Sequence, residues 1–293
     1  MLLFLLPPPP KDLSSSRPAF EEPLPAPLPP EPGSVYKTPK SRKPLVAIII
    51  DDMGYNFPLD EAFINLPAPI SFAFLPYAPF TKKLAEQASR AGKEVLVHMP
   101  MEPNSDKIDP GPGAIYSSMD LRTIRNRLND AIESVPYVSG LNNHMGSKLT
   151  ADVNIMHIVM AEIKRRGMFF VDSRTTKSSV AYKVAKSMGI AAAKRDVFLD
   201  HSFNERDILK EINRLVEVAN KKGWALAIGH PHIATYRVLY NYLPLLKKRV
   251  KIVSIYQLLE EERAQENEIW RRSNKKSKIG ALAKSKSGAR LHH

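Results

Sequence analysis

The sequence predicts an α/β fold built on a parallel sheet, either closed as a barrel or open and doubly wound. Short apolar runs alternate with segments of helical spacing about seven or eight times over roughly 225 residues. Several of the helical segments stop at a glycine directly before the next apolar run, which is the usual connection from helix to strand. Ionisable residues follow the apolar runs, where the carboxyl ends of parallel strands form active sites.

The predicted elements follow from the spacing of apolar residues along the chain. Apolar runs with the composition of buried strands occupy 45–50, 70–75, 94–97, 168–171, 224–228 and 250–253, and weaker ones occupy 138–141 and 190–193. Helical periodicity occupies 82–91, 120–134, 152–166 and 205–222. With only 13 Gly and no G-x-G-x-x-G motif, the chain lacks the signature of a dinucleotide site.

The composition excludes several kinds of site. The chain has no Cys, so it contains neither disulfides nor a thiolate zinc site nor a cysteine nucleophile, and a metal site must be built from Asp, Glu and His. Most of the net charge of +13 lies outside the predicted fold, because residues 271–293 carry eight basic residues and no acidic one. We therefore expect no nucleic-acid partner for the folded body and interpret the basic tail as a solubilising end.

Proline and apolar residues divide the chain into three parts. Residues 1–43 comprise the apolar stub MLLFLL and a Pro-rich spacer, which we expect to be disordered. The stub is shorter than the roughly 20 residues of a membrane span, and it is either the remainder of an envelope tether or a non-structural end. Residues 44–258 form the predicted globular domain, and 259–293 a helix end with a disordered basic tail. The tether interpretation would place the protein in the cell envelope or periplasm.

Two adjacent carboxylates, Asp51 and Asp52, end the first apolar run. Side chains of neighbouring strand residues point in opposite directions, so one carboxylate could bind a metal while the other acts as a base. The alternative is that one of them caps the turn at Met53-Gly54.

Three further side chains have the chemistry of metal ligands. His98 follows the third apolar run, Glu102 stands four residues later, and His144 follows the run at 138–141. Imidazole nitrogens and carboxylate oxygens suit Zn²⁺ or a similar divalent ion. The alternative is that the histidines are structural and bond to the backbone. Pro100 excludes a helix between His98 and Glu102, so these two would meet only across a tight loop.

His230 follows the apolar run at 224–228 and is a candidate general acid. Asp172 and Arg174, after the run at 168–171, could orient that histidine or keep the base ionised. His232, two residues beyond His230, is expected to face away. The remaining candidates, Asp200-His201 after another short run and the helical His157, are assigned no role.

With these residues in view, the sequence resembles the polysaccharide deacetylases (carbohydrate esterase family four), specifically their divergent branch, over about residues 44–258. Ile50-Asp51-Asp52 matches the family's opening Asp-Asp motif of base and metal ligand. His98-Met-Pro-Met-Glu102 lies where the family has a His-x-x-x-His ligand pair, with Glu102 in place of the second His. Ile228-Gly-His230 resembles the late Leu-x-His motif that supplies the catalytic acid.

The family's Arg-x-Pro-Tyr motif is absent, and the stretch 142–146 (Asn-Asn-His-Met-Gly) occupies its place. We expect His144 to replace the missing ligand and Arg174 to supply the missing guanidinium. The resemblance implies a distorted seven-stranded (β/α) barrel.

The resemblance also implies metal-dependent hydrolysis of N- or O-acetyl groups on a carbohydrate or cell-envelope glycan. Asp52, His98 and His144, with Glu102, would hold the cation, and Zn²⁺ is the expected ion. Asp51 would be the base and His230 the acid. Two alternatives stay open at this point: another metal-dependent hydrolase on the same barrel, such as a phosphoesterase, and a catalytically degenerate protein that binds a glycan or an envelope partner.

Overall fold

A computed structural model describes residues 43–264 and residue 268. Most of the predicted N-terminal spacer and of the basic tail therefore lies outside the described residues. Within the described part, no helix is both long enough and apolar enough to cross a membrane.

The chain alternates strands and helices in the order that the apolar runs predict. The strands are β1 Leu45–Met53, β2 Ser71–Phe74, β3 Val95–Met101, β4 Val138–Met145, β5 Phe169–Asp172, β6 Ala192–Lys194, β7 Val197–Phe198, β8 Trp224–Gly229 and β9 Lys251–Ile252. The helices are α1 Phe57–Ile64, α2 Thr81–Arg90, α3 Leu121–Ser134, α4 Val153–Arg165, α5 Ala181–Ser187, α6 Glu205–Lys222 and α7 Ile233–Arg249. A further helical stretch covers 255–264.

The strands β3 and β4 each end four residues later than the predicted runs at 94–97 and 138–141. β3 continues through Pro100 to Met101, and β4 continues through Asn142, Asn143 and His144 to Met145. The two strands pair in parallel from Leu96↔Gly140 to Met101↔Met145, so each supports the extended backbone of the other. The tight loop predicted after Val97 is therefore replaced by strand.

The sheet is parallel throughout and curls on itself. Its strand order is β6-β5-β4-β3-β2-β1-β8-β7, with β9 beside the start of β1. β6 and β7 stand at opposite ends of this order, yet only Arg195 and Asp196 separate them in the chain. The backbone N–H of Arg195 donates to Asp172 of β5, and that of Asp196 donates to Leu226 of β8. The chain thus bridges the two ends of the sheet, which confirms the predicted distorted barrel.

The two faces of the sheet are covered differently. The helices pack on the outer face, whereas the inner face forms a smaller apolar cluster that contains alternate strand residues such as Ala47, Ile49 and Leu96. Ile255 and Leu258 belong to this inner cluster, and Glu94, directly before β3, accepts hydrogen bonds from Ile255 N and Tyr256 N at 2.8 and 2.9 Å. The C-terminal segment therefore closes the amino end of the barrel.

The same alternation determines which polar residues reach the open, carboxyl end of the barrel. Residues two apart in a strand lie on the same face of the sheet. Asp51, His98 and His230 each stand two residues after a member of the inner cluster, namely Ile49, Leu96 and Ile228. The inward-facing positions thus change from apolar to ionisable at the carboxyl ends of β1, β3 and β8. This end of the barrel is the candidate site.

Candidate active site

A bulge at the end of β1 sets the direction of the first two carboxylates. The pairing register with β2 shifts between Ile50 and Met53, and Asp52 has a left-handed backbone with φ 54°. As a result Asp51 Oδ2 lies 3.7 Å and Asp52 Oδ1 3.1 Å from the same nitrogen, His98 Nε2. The expectation that the two carboxylates point in opposite directions is therefore wrong.

The turn after this bulge is capped by a different aspartate. Asp60, buried at the start of α1, accepts hydrogen bonds from Gly54 N at 2.8 Å and Asn56 N at 3.3 Å. The alternative role of a turn cap for Asp51 or Asp52 is thus filled by Asp60, and both carboxylates are left for the site.

Asp52, His98 and His144 converge on one point and are named the Asp52 cluster. Asp52 Oδ1 lies 3.0 Å from His144 Nδ1, and His144 Nδ1 lies 3.2 Å from His98 Nε2. Asp52 Oδ1 is buried but accepts no hydrogen bond of ordinary geometry, although both imidazoles face it. One carboxylate oxygen and two imidazole nitrogens at this spacing fit a divalent cation, and Zn²⁺ accepts this donor set.

Asn142 links the Asp52 cluster to Asp51. The Asn142 amide donates to Asp51 Oδ1 at 2.8 Å, and its Oδ1 lies 2.9 Å from His98 Nδ1. Because an amide oxygen only accepts hydrogen bonds, Nδ1 of His98 carries a proton and Nε2 is the atom left to bind a cation. His98 and Asn142 are paired residues of β3 and β4, so the ladder itself holds this contact.

Glu102 does not join the Asp52 cluster, contrary to its prediction as a fourth ligand. Its carboxylate lies 2.7 Å from Lys148 Nζ and accepts from Ser117 N at 2.6 Å. Because β3 remains extended to Met101, Glu102 lies beyond the strand end that carries His98. Glu102 instead ties together the loops that follow β3 and β4.

His230 is oriented by Asp200, to which the sequence assigned no role. Asp200 Oδ1 lies 3.0 Å from His230 Nδ1, and Asp200 Oδ2 accepts from His230 N at 2.6 Å and from Thr235 Oγ1 at 2.8 Å. Burial disfavours the charged imidazole, but the Asp200 carboxylate outweighs it and raises the pKa of His230 to about 10. His230 is therefore held in its protonated form at neutral pH.

His232 lies beside His230, so the expectation that it faces away is wrong. His232 N donates to His230 O at 2.7 Å, which closes a tight turn around Pro231, and the two rings lie 6.0 Å apart. One ligand atom each from Asp200, His230 and His232 lies within 4.8 Å of the others. These three residues are named the Asp200 cluster.

Asp172 binds residues that follow it in the chain rather than His230. Asp172 accepts from Arg174 N at 2.9 Å and from Ser179 Oγ at 2.8 Å, and it therefore shapes the loop after β5. The guanidinium of Arg195, which the sequence did not indicate, donates from Nε to Ser173 O at 2.6 Å and from Nη2 to Arg174 O at 3.0 Å. Burial lowers the pKa of Arg195 to about 10, although the negative charges of Asp172 and Asp51 favour the protonated guanidinium. Arg195 thus holds the backbone of the loop after β5, and a guanidinium supplied to the site by Arg174 stays a prediction.

Asp51 lies between the two clusters. Ile50 and Gly229, the residues directly before Asp51 and His230, are a pair in the β1–β8 ladder. Burial raises the pKa of Asp51, and this effect outweighs the positive charges of His98 and His230, which favour the ionised carboxylate. The arrangement combines a candidate cation site, a carboxylate able to accept a proton and an imidazolium able to donate one, a set of groups that metal-dependent hydrolases use.

Comparison with known sequences agrees with this geometry. The sequence profile described as divergent polysaccharide deacetylase matches residues 48–259. The uncharacterized protein YibQ of Escherichia coli K12 is 38% identical over 216 residues, which cover 74% of this chain and 67% of that protein. An uncharacterized protein of Haemophilus influenzae is 37% identical over 219 residues, which cover 74% of this chain and 78% of that protein.

The fold also occurs among solved structures. An uncharacterized protein of Agrobacterium tumefaciens C58 superposes with a TM-score of 0.71 at 22% sequence identity, covering 76% of this chain and 92% of that one. At this identity the similarity concerns the fold alone.

Proposed function

Because the chain belongs to the divergent polysaccharide deacetylase family, we propose that it is a metal-dependent hydrolase that removes N- or O-acetyl groups from a carbohydrate. The observation that carries the proposal is the convergence of Asp52, His98 and His144 on one point beside Asp51 and His230. A glycan of the cell envelope is the proposed substrate, and the envelope or periplasm the proposed location.

We propose Zn²⁺ as the ion held by the Asp52 cluster, since two imidazoles and one carboxylate are a common zinc donor set. A divalent cation there would polarise the acyl carbonyl and make its bound water more acidic. Asn142 keeps the proton of His98 on Nδ1, so the unprotonated Nε2 is the nitrogen that faces Asp52 and His144 and could bind the cation.

Asp51 is the proposed general base. Its Oδ1 is already bound by the Asn142 amide, whereas its Oδ2 faces the Asp52 cluster at 3.7 Å from His98 Nε2. Oδ2 would accept the proton of the attacking water. Burial raises the pKa of Asp51, which makes its carboxylate a stronger proton acceptor than an exposed aspartate.

His230 is the proposed general acid. Nδ1 and the backbone N of His230 are held by Asp200, so Nε2 is the atom that would protonate the leaving amine or alcohol. The Asp200 carboxylate keeps the ring protonated before the reaction. A positioned acid of this kind contributes roughly 10²–10⁴-fold to a rate.

The test combines metal analysis with acetate release. The purified protein is analysed for bound metal and incubated with acetylated chito-oligosaccharides and with O-acetylated glycans, beside a His230→Gln variant as the matched control. We expect one tightly bound equivalent of metal in both proteins and a rate about 10²–10⁴-fold lower in the variant.

Metal without acetate release from any of these substrates would overturn the deacetylase proposal and favour a glycan-binding protein. Equal rates in the two proteins would exclude His230 as the acid. Acetate release that persists after complete removal of metal would refute the metal-dependent mechanism.

A further inference from the structure

The Asp200 cluster also has the composition of a cation site. It offers one carboxylate and two imidazoles within 4.8 Å, the same donor types as the Asp52 cluster. The tight turn around Pro231 brings the two imidazoles to the same side of Asp200, with ring centres 6.0 Å apart. Because proline fixes its own backbone angle, this juxtaposition is built into the chain after β8.

We propose that the Asp200 cluster is a second, weaker site for a divalent cation such as Zn²⁺, and that its occupation inhibits the enzyme. The inhibitory part rests on the proposed function, because it concerns His230 as the general acid. Cation binding to Asp200, His230 and His232 does not depend on any activity.

Inhibition follows from the atom that would bind the cation. His230 Nδ1 is the ring nitrogen that faces Asp200 at 3.0 Å. When a bond forms between a cation and this nitrogen, the Nδ1 proton leaves to solvent, and the ring keeps only its Nε2 hydrogen. The ring is then a neutral ligand and no longer an imidazolium, so its remaining Nε2 hydrogen is less acidic and the ring is a weaker general acid for the leaving group.

The second site would be weaker because its carboxylate is already engaged. Asp200 accepts three hydrogen bonds, from His230 N, His230 Nδ1 and Thr235 Oγ1. A cation at this site must displace the hydrogen bond between His230 Nδ1 and Asp200. At the other site Asp52 Oδ1 accepts no ordinary hydrogen bond that a cation would have to displace. The Asp52 cluster therefore fills first and the Asp200 cluster only when the cation is in excess.

His232 is the residue through which the second site can be removed selectively. It precedes α7 but its side chain makes no capping hydrogen bond to that helix, and its ring packs against the ring of Phe203 at 4.6 Å. His232→Phe removes the ligand and preserves an aromatic ring beside Phe203. His232 has no part in the proposed reaction.

The experiment measures Zn²⁺ binding by equilibrium dialysis in four full-length proteins: wild type, Asp52→Asn, His232→Phe and the double variant. We expect two equivalents in the wild type, one weak equivalent in Asp52→Asn, one strong equivalent in His232→Phe and none in the double variant. Acetate release is then followed as Zn²⁺ rises above one equivalent. The wild type should lose activity, and His232→Phe should keep the activity it has at one equivalent.

The outcomes separate this inference from the proposed function. A second equivalent that survives in His232→Phe, or a wild type that binds only one, would overturn the second site. Equal inhibition of wild type and His232→Phe would overturn the inhibitory role. A protein that binds two equivalents but releases no acetate would refute the proposed function and leave the second cation site supported.

Discussion

The Asp52 and Asp200 clusters contain the same three side chains, one aspartate and two histidines, but their carboxylates are used differently. Asp52 Oδ1 faces two imidazoles and accepts no ordinary hydrogen bond, and its side chain is 18% exposed. Asp200 is fully surrounded and accepts three hydrogen bonds. The first carboxylate is thus arranged to share a cation and the second to hold a proton on His230. The residue types of the two clusters do not distinguish these two roles. The number of hydrogen bonds that each aspartate accepts does.

The largest expected effect comes from Asp52→Asn. Asparagine tolerates the left-handed backbone at this position, so the bulge is retained while the charged ligand is lost. We expect loss of tightly bound metal and a fall in kcat/KM of about 10³-fold or more, since a cation supplies several kcal/mol to such a reaction. Metal analysis and initial rates measure it, with thermal unfolding as the check on folding. Full metal content in the variant would contradict the ligand assignment.

The same substitution in the other cluster, Asp200→Asn, should leave the strong metal site intact and change the pH profile. The Asp200 carboxylate raises the pKa of His230 to about 10, so its removal lowers that pKa. A general acid works only while protonated, and activity is lost as the pH rises through its pKa. The basic limb of the kcat/KM profile, recorded at one equivalent of metal, should therefore move to lower pH, with a roughly tenfold lower rate at neutral pH. A basic limb that does not move would show that Asp200 does not tune the acid.

The smallest effect is expected for Glu102→Gln, which separates a structural carboxylate from a metal-binding one. Metal content and rate should stay within about twofold of wild type, because Glu102 binds Lys148 and Ser117 outside both clusters. Burial opposes ionisation of Glu102, but Lys148 outweighs it and holds the pKa of Glu102 below its ordinary 4.5. Its stabilising contribution is therefore present above pH 4.5 and is lost as the pH falls through its lowered pKa.

The difference in unfolding free energy between wild type and Glu102→Gln should accordingly shrink toward acid pH. Denaturant unfolding at neutral pH and at several acid values measures it. Loss of metal from Glu102→Gln would return Glu102 to the ligand set.

Much of the fold was predictable because each apolar run has its own local signature. The runs at 45–50 and 224–228 became β1 and β8, and the position of polar residues directly after them placed Asp51, Asp52 and His230 at one end of the barrel. Strand parity would also have indicated Asn142, which stands on the same face of β4 as His144.

Two of the errors have their physical origin in local backbone geometry. A bulge with a left-handed Asp52 turned two carboxylates to one side, and a turn around Pro231 turned His232 toward His230. Neither the bulge nor the turn produces a regular spacing of apolar residues from which it could be predicted. Asp200 was passed over because it follows β7, a strand of only two residues, although Phe198 of β7 pairs with Ile228 of β8 just ahead of His230.

The closure of the barrel between β6 and β7 has a consequence for how the molecule meets other chains. In the described part of the chain no ladder joins these strands, so each leaves an open sheet edge. Such edges are templates for strand addition and aggregation. Here they are only three and two residues long, and Arg195 and Asp196 run directly between them. The barrel thus ends its sheet in edges too short to recruit a foreign strand.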